Sequence, residues 1–397
     1  MQNVFENSPN MRVYLDHNAT TPLADSIKQR WMELFDLWGN PSSIHATSRP
    51  GKLWLRETKQ KLSQILNCSP LEIIFNSGAS EGNNTVLKTL WSEIGHARPE
   101  FLISQVEHPS VIKTAEYLKT LGAIIKFIPV SRTGIIDMQF IEDNLSEKTA
   151  LVSVMFANNE TGTIFPIEQI SRLAHAHGAF MHSDCVQMLG KSLFNFEQLN
   201  LDYATFSAHK FYSLKGTGFS YIKKGSPWVP LIHGGGQERA RRGGTENILG
   251  IAALGIVLGN FSDNNKKIPE MSRLRDLMEK IILENISDVT VTAGTSLRLS
   301  NTSNLIVSGV DGETLLMSLD LKGFAVSTGA ACSSGNPEPS PVLLSMGLTR
   351  AEAQNSLRVS LGLSTTESNI RDFCTMLISV VKKLRIINKE VNYEASI

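Results

Sequence analysis

Between about residue 70 and residue 222, short β-rich apolar runs alternate with stretches of helical spacing, the pattern of an α/β protein with a mainly parallel sheet. Seven runs read as strands: residues 72–75, 101–104, 124–128, 151–155, 179–183, 203–207 and 219–222. Helical spacing is clear over residues 166–177, where Ile167, Ile170, Leu173 and Ala174 share one face. Polar and glycine-bearing turns follow several strands, at the sheet edge where open α/β folds bind ligands. Beyond residue 260 the pattern changes. An amphipathic helix with Met271, Leu274, Leu277, Met278 and Ile281 leads into short strands, and a terminal helix carries Ile370, Cys374, Leu377, Val381 and Leu384. This predicts a large domain over residues 12–260 and a smaller α+β domain over 261–397, joined by the N-terminal segment 1–16. The polar run from Ser262 to Lys267 is the expected connection.

With 397 residues and 42% hydrophobic composition the chain can bury sizeable cores. Equal counts of 38 basic and 38 acidic residues provide no field for nucleic acid or an anionic membrane. Cys68, Cys185, Cys332 and Cys374 are widely spaced without a C-x-x-C pair, against a zinc ribbon or disulfide framework and in favour of a reducing compartment. The start of the sequence has no signal-like pattern, and no apolar stretch approaches bilayer-spanning length, so a soluble cytoplasmic protein is expected.

The chemistry concentrates at turns after strands. Lys210 follows the run 202–206 in Ser207-Ala208-His209-Lys210, and an acidic residue lies one segment earlier in His182-Ser183-Asp184. A lysine that forms an imine with pyridoxal 5'-phosphate (PLP) needs a carboxylate to hold the cofactor's pyridine nitrogen protonated, and this pair supplies both. The Ser/Gly-rich run from Asn76 to Asn84 opens a helix and offers backbone amides to a phosphate. His108, after strand 101–104, can stack on an aromatic cofactor and move protons; the alternative is a helix-capping histidine. Asn158 and Asn159 follow strand 151–155, where a carboxamide can meet a phenolate or a carboxylate, or simply form a turn. The glycine- and arginine-rich loop from Gly234 to Asn247 can reach an anionic group. His175, His177, His182, Asp184 and Cys185 invite a metal reading, but His175 and His177 point to different sides of a helix, and surface histidines with a small buried thiol explain them better. No metal site is expected. Cys332 lies among small residues and prolines that cannot build a core, which suits a reactive thiol, whereas Cys68, Cys185 and Cys374 read as buried structural cysteines.

Taken in order, these motifs resemble the cysteine desulfurases of the NifS/IscS type, fold-type-I PLP enzymes of the class V aminotransferase group. The resemblance runs nearly end to end, through Tyr14–Pro22, Gly39–His45, Glu107–Val111, Asn158–Gly162, His182–Gln187, Ser207–Lys210, the Gly234–Asn247 loop and Cys332–Gly335. It implies that Lys210 forms the imine with PLP, Asp184 pairs with the pyridine nitrogen, Gln187 and Asn159 approach the phenolic oxygen, and His108 stacks on the ring. Ala79, Ser80, Ser207 and His209 would hold the phosphate, with Thr245 from the neighbouring subunit of a homodimer. Arg358 would anchor the carboxylate of L-cysteine, Asn159 would help bind it, and Cys332 would take its sulfur for an iron–sulfur scaffold, a thio-cofactor or tRNA pathway, or another carrier. Lys210 and His108 are the implied proton carriers. The chain departs from the family at Ser80, usually Thr, at Gly243, often Ser, at Leu363, often Arg, and at Cys185, often Ala. A selenocysteine lyase or another PLP lyase would share Lys210 and Asp184 but depend less on Cys332, and a non-catalytic sulfur-transfer scaffold is the third reading. The family-like start lies near Met11.

Overall fold

The computed structural model describes residues 12–328 and 338–394, with 389–394 as backbone only. Its strands are β1 (Val13–Tyr14), β2 (Ile73–Asn76), β3 (Glu100–Ser104), β4 (Ile124–Ile128), β5 (Thr149–Ser153), β6 (Phe180–Asp184), β7 (Tyr203–Ser207), β8 (Gly218–Ile222), β9 (Val289–Val291), β10 (Thr302–Val307), β11 (Phe324–Ala325) and β12 (Ser356–Ser360). β2 to β8 form a seven-stranded sheet in the order β2-β8-β7-β6-β5-β3-β4. All seven expected strands are present. β5 starts two residues earlier than expected, because Thr149 pairs with Glu100 of β3, while beyond Ser153 only the amides of Val154 and Phe156 remain bonded to β6. β8 runs antiparallel to both of its neighbours, β7 and β2. The connection from Ser207 to Gly218 is too short for the crossover that a parallel partner needs.

Strand alternation sends Phe101, Ile103, Leu151 and Tyr203 to one face of the sheet and Leu102, Val152, Ala204 and Phe206 to the other. The first face is covered by the helices Ala79–Ile94 and Pro109–Thr120, which contribute Val86, Leu87, Leu90, Val111, Ala115 and Leu118. The second face packs against Ile167–Ala176 and Ile248–Gly259, the latter apolar nearly all round and laid along Arg49–Leu66. A helix hydrophobic on every side is a buried helix.

A separate apolar cluster joins the helices Ile268–Asn285 and Glu367–Glu394 to the antiparallel sheet β12-β10-β9. Leu15 belongs to it, and β1 pairs with β11, so the start of the described chain is built into the C-terminal region. Conversely, Val342, Leu343, Met346 and Leu348 pack into the cluster beneath the large sheet. A short helix, Phe261–Asn265, occupies the expected connection. Among the described residues, no helix is long and apolar enough to cross a membrane.

Candidate active site

β2, β3, β5, β6 and β7 all end on one edge of the large sheet, and several of the residues singled out in the sequence, Lys210, Asp184, Ser207 and His108 among them, lie there. β6 and β7 are parallel neighbours with Asp184 in register with Thr205. Lys210 therefore emerges one short turn beyond the strand next to Asp184. The antiparallel β8 brings Gly218 beside both Asn76 of β2 and Ser207 of β7. That places the start of helix Ala79–Ile94 against the end of β7, and the Ala79 amide donates to Ser207 Oγ at 2.9 Å.

Gly78 precedes this helix at φ 147° and ψ 173°, a conformation that only glycine adopts readily, and it offers no side-chain cap. The helix start, with Ala79 buried, Ser80 exposed and Ser207 beneath, thus presents amides and hydroxyls with the chemistry of an anion cradle. His209 contacts Thr20 Oγ1 through Nδ1 at 3.1 Å, and burial followed by the charges of Lys210, Lys215 and Lys191 lowers its pKa to about 4. It is a neutral hydrogen-bonding ring.

One turn further on, a Cβ at Gly82 would lie 2.7 Å from Ser220 Oγ and 2.8 Å from Thr205 Cγ2. The helix can approach the sheet this closely only without a side chain there. The approach sets Asn83 into a buried relay: Thr205 Oγ1 donates to Asn83 Oδ1 at 2.5 Å, and Asn83 Nδ2 donates to Asp184 Oδ2 at 2.8 Å and Ser110 Oγ at 2.9 Å. Asp184, 5% exposed, also accepts from the Val186 amide at 3.0 Å. Both of its oxygens are oriented.

His108 caps a helix within the electrostatic reach of Asp184 and Lys210. Its Nδ1 accepts from the Ser110 amide at 3.1 Å and lies 2.8 Å from Ser110 Oγ, at the start of helix Pro109–Thr120. With Nδ1 committed as acceptor, the neutral ring carries its proton on Nε2. His108 is exposed, yet the surroundings lower its pKa; lost hydration is the main cause, opposed by Asp184 and reinforced by Lys210. The neighbouring Glu107 is buried and accepts from the Met155 amide at 2.6 Å, and burial with the charge of Asp184 pushes it well above the carboxylate range. The shift favours the neutral acid over a second negative charge beside Asp184.

Lys210 Nζ donates to the carbonyls of Asn18 at 2.8 Å and Ala19 at 2.6 Å. Burial, followed by the charge of Arg358, lowers its pKa from 10.5 to about 8, against the pull of Asp16 and Asp184. Gln187, 4% exposed, donates through Nε2 to the same Asn18 carbonyl at 3.2 Å.

Arg358 comes from the small sheet. Alternation along β12 turns Leu357 and Val359 into the C-terminal core and sets Arg358 and Ser360 on the opposite face. Its guanidinium donates to Asp16 Oδ1 at 2.7 Å and to the Asn159 carbonyl at 3.2 Å, while Nε is buried without a partner among the described residues. Arg358 also exchanges backbone hydrogen bonds with Ser327, and Ser340 Oγ donates to Glu160 Oε2 at 2.5 Å. Residues on either side of segment 329–337 are therefore tied to the Arg358 and Asn159–Glu160 wall. Cys332 itself lies outside the described residues.

Other expectations met different environments. Thr245 is exposed and lines a cavity of about 190 Å³ with Ser77, Arg242 and Gly244. In the same loop Arg242 is bound by both oxygens of Glu81, at 2.9 and 3.2 Å, and Arg241 donates to the Leu71 carbonyl at 2.7 Å, so both guanidiniums are engaged by this chain. His182 is not a surface residue: it is fully buried in β6, where Ser153 Oγ lies 2.8 Å from Nδ1 and burial lowers its pKa to about 3. Cys185 and Cys374 are buried as expected, whereas Cys68 is only half-buried. Asn18, Asn83 and Lys191 are central to the network but were not singled out in the sequence. Asn18 and Asn83 lie inside recognised motifs, while Lys191 gave no signal beyond following Gln187 by four residues.

The site fits PLP in its donor set: a depressed lysine, an oriented carboxylate one strand away, an imidazole held by a cap, an uncapped helix start and an arginine with a spare buried donor. The sequence profile described as Aminotransferase class-V matches residues 13–373, and the chain belongs to that family. It is 38% identical over 378 residues to the cysteine desulfurase IscS of Dictyoglomus turgidum, covering 95% of this chain and 96% of that one. Among solved structures, a NifS-like protein at 33% identity superposes with a TM-score of 0.87, covering 94% of this chain and all (100%) of the other. The structure of SspA in complex with cysteine matches at 30% identity and a TM-score of 0.78, over 90% of this chain and 100% of that one.

Proposed function

We propose that this protein is a cysteine desulfurase: with PLP held at Lys210, it converts L-cysteine and the thiol of Cys332 into L-alanine and a Cys332 persulfide. The observation that carries this reading is the convergence of Lys210, Asp184 and His108 on one sheet edge, close enough that Asp184 acts on the proton affinities of both other groups. When bound, the cofactor supplies an electron sink for the substrate's Cα–H bond electrons.

The remaining work falls to side chains. Asp184, oriented by Asn83, would hold the pyridine nitrogen protonated, and His108 would cover the ring. Ala79, Ser80, Ser207 and His209 would bind the phosphate, completed by Thr245 of a second copy. Arg358 would receive the substrate carboxylate, with Asn159 beside it, because its Nε lacks a partner among the described residues. Lys210, neutral above about pH 8, can take a proton at Nζ, and His108, once its ring has taken up a second proton, would give one from Nε2. The Cys332 thiolate would attack the substrate sulfur; the S–S bond forms as the C–S bond breaks, and the departing carbon ends as the methyl group of alanine. An acceptor protein such as an iron–sulfur scaffold or sulfur carrier would then remove the sulfur.

A homodimer suits this reading. Met32 is 76% exposed, Phe35 54%, Trp38 78% and Ile44 95%, an apolar display that a second copy would cover. Two substitutions test the function. Lys210→Ala is expected to abolish cofactor absorbance, while Cys332→Ser keeps the cofactor and forms no alanine or persulfide from cysteine. A Cys332→Ser protein that releases alanine from cysteine at the wild-type rate would leave a PLP lyase instead.

A further inference from the structure

Lys191 is buried, 4% exposed, and no carboxylate touches it among the described residues. Its Nζ faces three oxygens: Asn18 Oδ1 at 3.0 Å, the His17 carbonyl at 3.4 Å and Gln187 Oε1. Burial, then the charges of Lys210 and Arg358, push its pKa well below 10.5, with Asp16 opposing. Even an uncharged amine keeps two N–H groups, enough for Gln187 and Asn18.

Lys191 Nζ donates to Gln187, so the amide end facing the amine is the oxygen. Nε2 then points the other way, to the Asn18 carbonyl that also receives Lys210 Nζ. The donor end of Gln187 and the amine of Lys210 thus meet at one oxygen atom. In PLP the phenolic oxygen sits next to the carbon that links to a lysine, so a donor beside Lys210 is a donor beside that oxygen.

We propose that Lys191 is a positioning residue: by donating to Gln187 Oε1 it commits Gln187 Nε2 to the phenolic oxygen of PLP. This rests on Lys210 being the cofactor lysine. A donor on that oxygen draws negative charge from it and weakens its hold on the proton of the linked nitrogen. The bound cofactor therefore titrates at a lower pH than it would beside an amide free to flip.

The test is a pH titration of the absorbance of PLP-loaded wild type, Lys191→Met and Lys191→Arg, with Lys191→Met repeated in a Gln187→Ala background. Lys191 borders a cavity of about 460 Å³ with Phe165, Phe194 and Leu297, which gives a replacement side chain room. Should Lys191→Met not fold, Lys191→Leu takes its place. The midpoint is expected to rise by about one pH unit in the apolar variant, the scale of one hydrogen bond, to stay near wild type with arginine, and to rise no further behind Gln187→Ala. An unmoved midpoint in the apolar variant, or an equal rise without the Gln187 side chain, would overturn the proposal. A wild type that shows no cofactor absorbance would instead refute the assignment of Lys210.

Discussion

Two groups with shifted proton affinities make the site's residue-scale chemistry measurable. Lys210 is held at about 8 rather than 10.5, so the nucleophilic amine becomes abundant as pH rises through about 8. The rate of PLP uptake by cofactor-free protein is expected to climb through that value and then level; an inflection at the ordinary lysine position would contradict the placement of Lys210. Glu160 shifts the opposite way, from 4.5 to about 7, because it is buried, with the Ser340 hydrogen bond and Arg358 only partly offsetting the loss of water. The folded state therefore holds a proton that the unfolded chain releases above about 4.5. Its contribution to stability falls as pH rises through that window, by about 1–3 kcal/mol in all. Glu160→Gln cannot ionise, so its denaturation midpoint is expected to gain on wild type between pH 5 and pH 8. A constant difference across that range would show that Glu160 does not bind the extra proton.

At the scale of elements, the close contact of helix Ala79–Ile94 with the sheet controls the geometry around Asp184. Gly82→Ala must displace either the helix or the side chains of Ser220 and Thr205, at a cost of about 1–3 kcal/mol, and in doing so loosens Asn83 from Asp184. Lower thermal stability together with weaker PLP binding is expected; unchanged PLP affinity would mean that Asn83 does not orient Asp184. The strands themselves were legible because their apolar runs are bounded by turn formers, and the residues at their C-terminal ends could be placed from sheet topology alone. Side-chain partners were not. His182 reads as a surface histidine, yet β6 is covered on both faces and buries it against Ser153. Arg241 and Arg242 read as free cations because local composition does not reveal the distant partners Leu71 and Glu81. Lys191 was overlooked for the same reason: beside the nearby Gln187, two of its acceptors, Asn18 and His17, lie more than a hundred and seventy positions away.

For the whole molecule, the site draws on two separately packed regions, the large sheet through Lys210 and Asp184 and the small sheet through Arg358. The proposed dimer adds a third contribution in Thr245. Replacing Trp38 and Ile44 by Ser and Asp is expected to shift the protein towards monomer in analytical ultracentrifugation and to weaken PLP binding with it; a stable dimer would move the interface elsewhere. The most direct test of the proposed activity is the mass of the Cys332 peptide after a brief reaction with L-cysteine in the absence of reductant and acceptor. The expected result is one added sulfur atom on Cys332, matched by one alanine per site and absent from Lys210→Ala. Alanine formed over many turnovers with Cys332 unmodified would contradict a mechanism in which that thiol receives the sulfur.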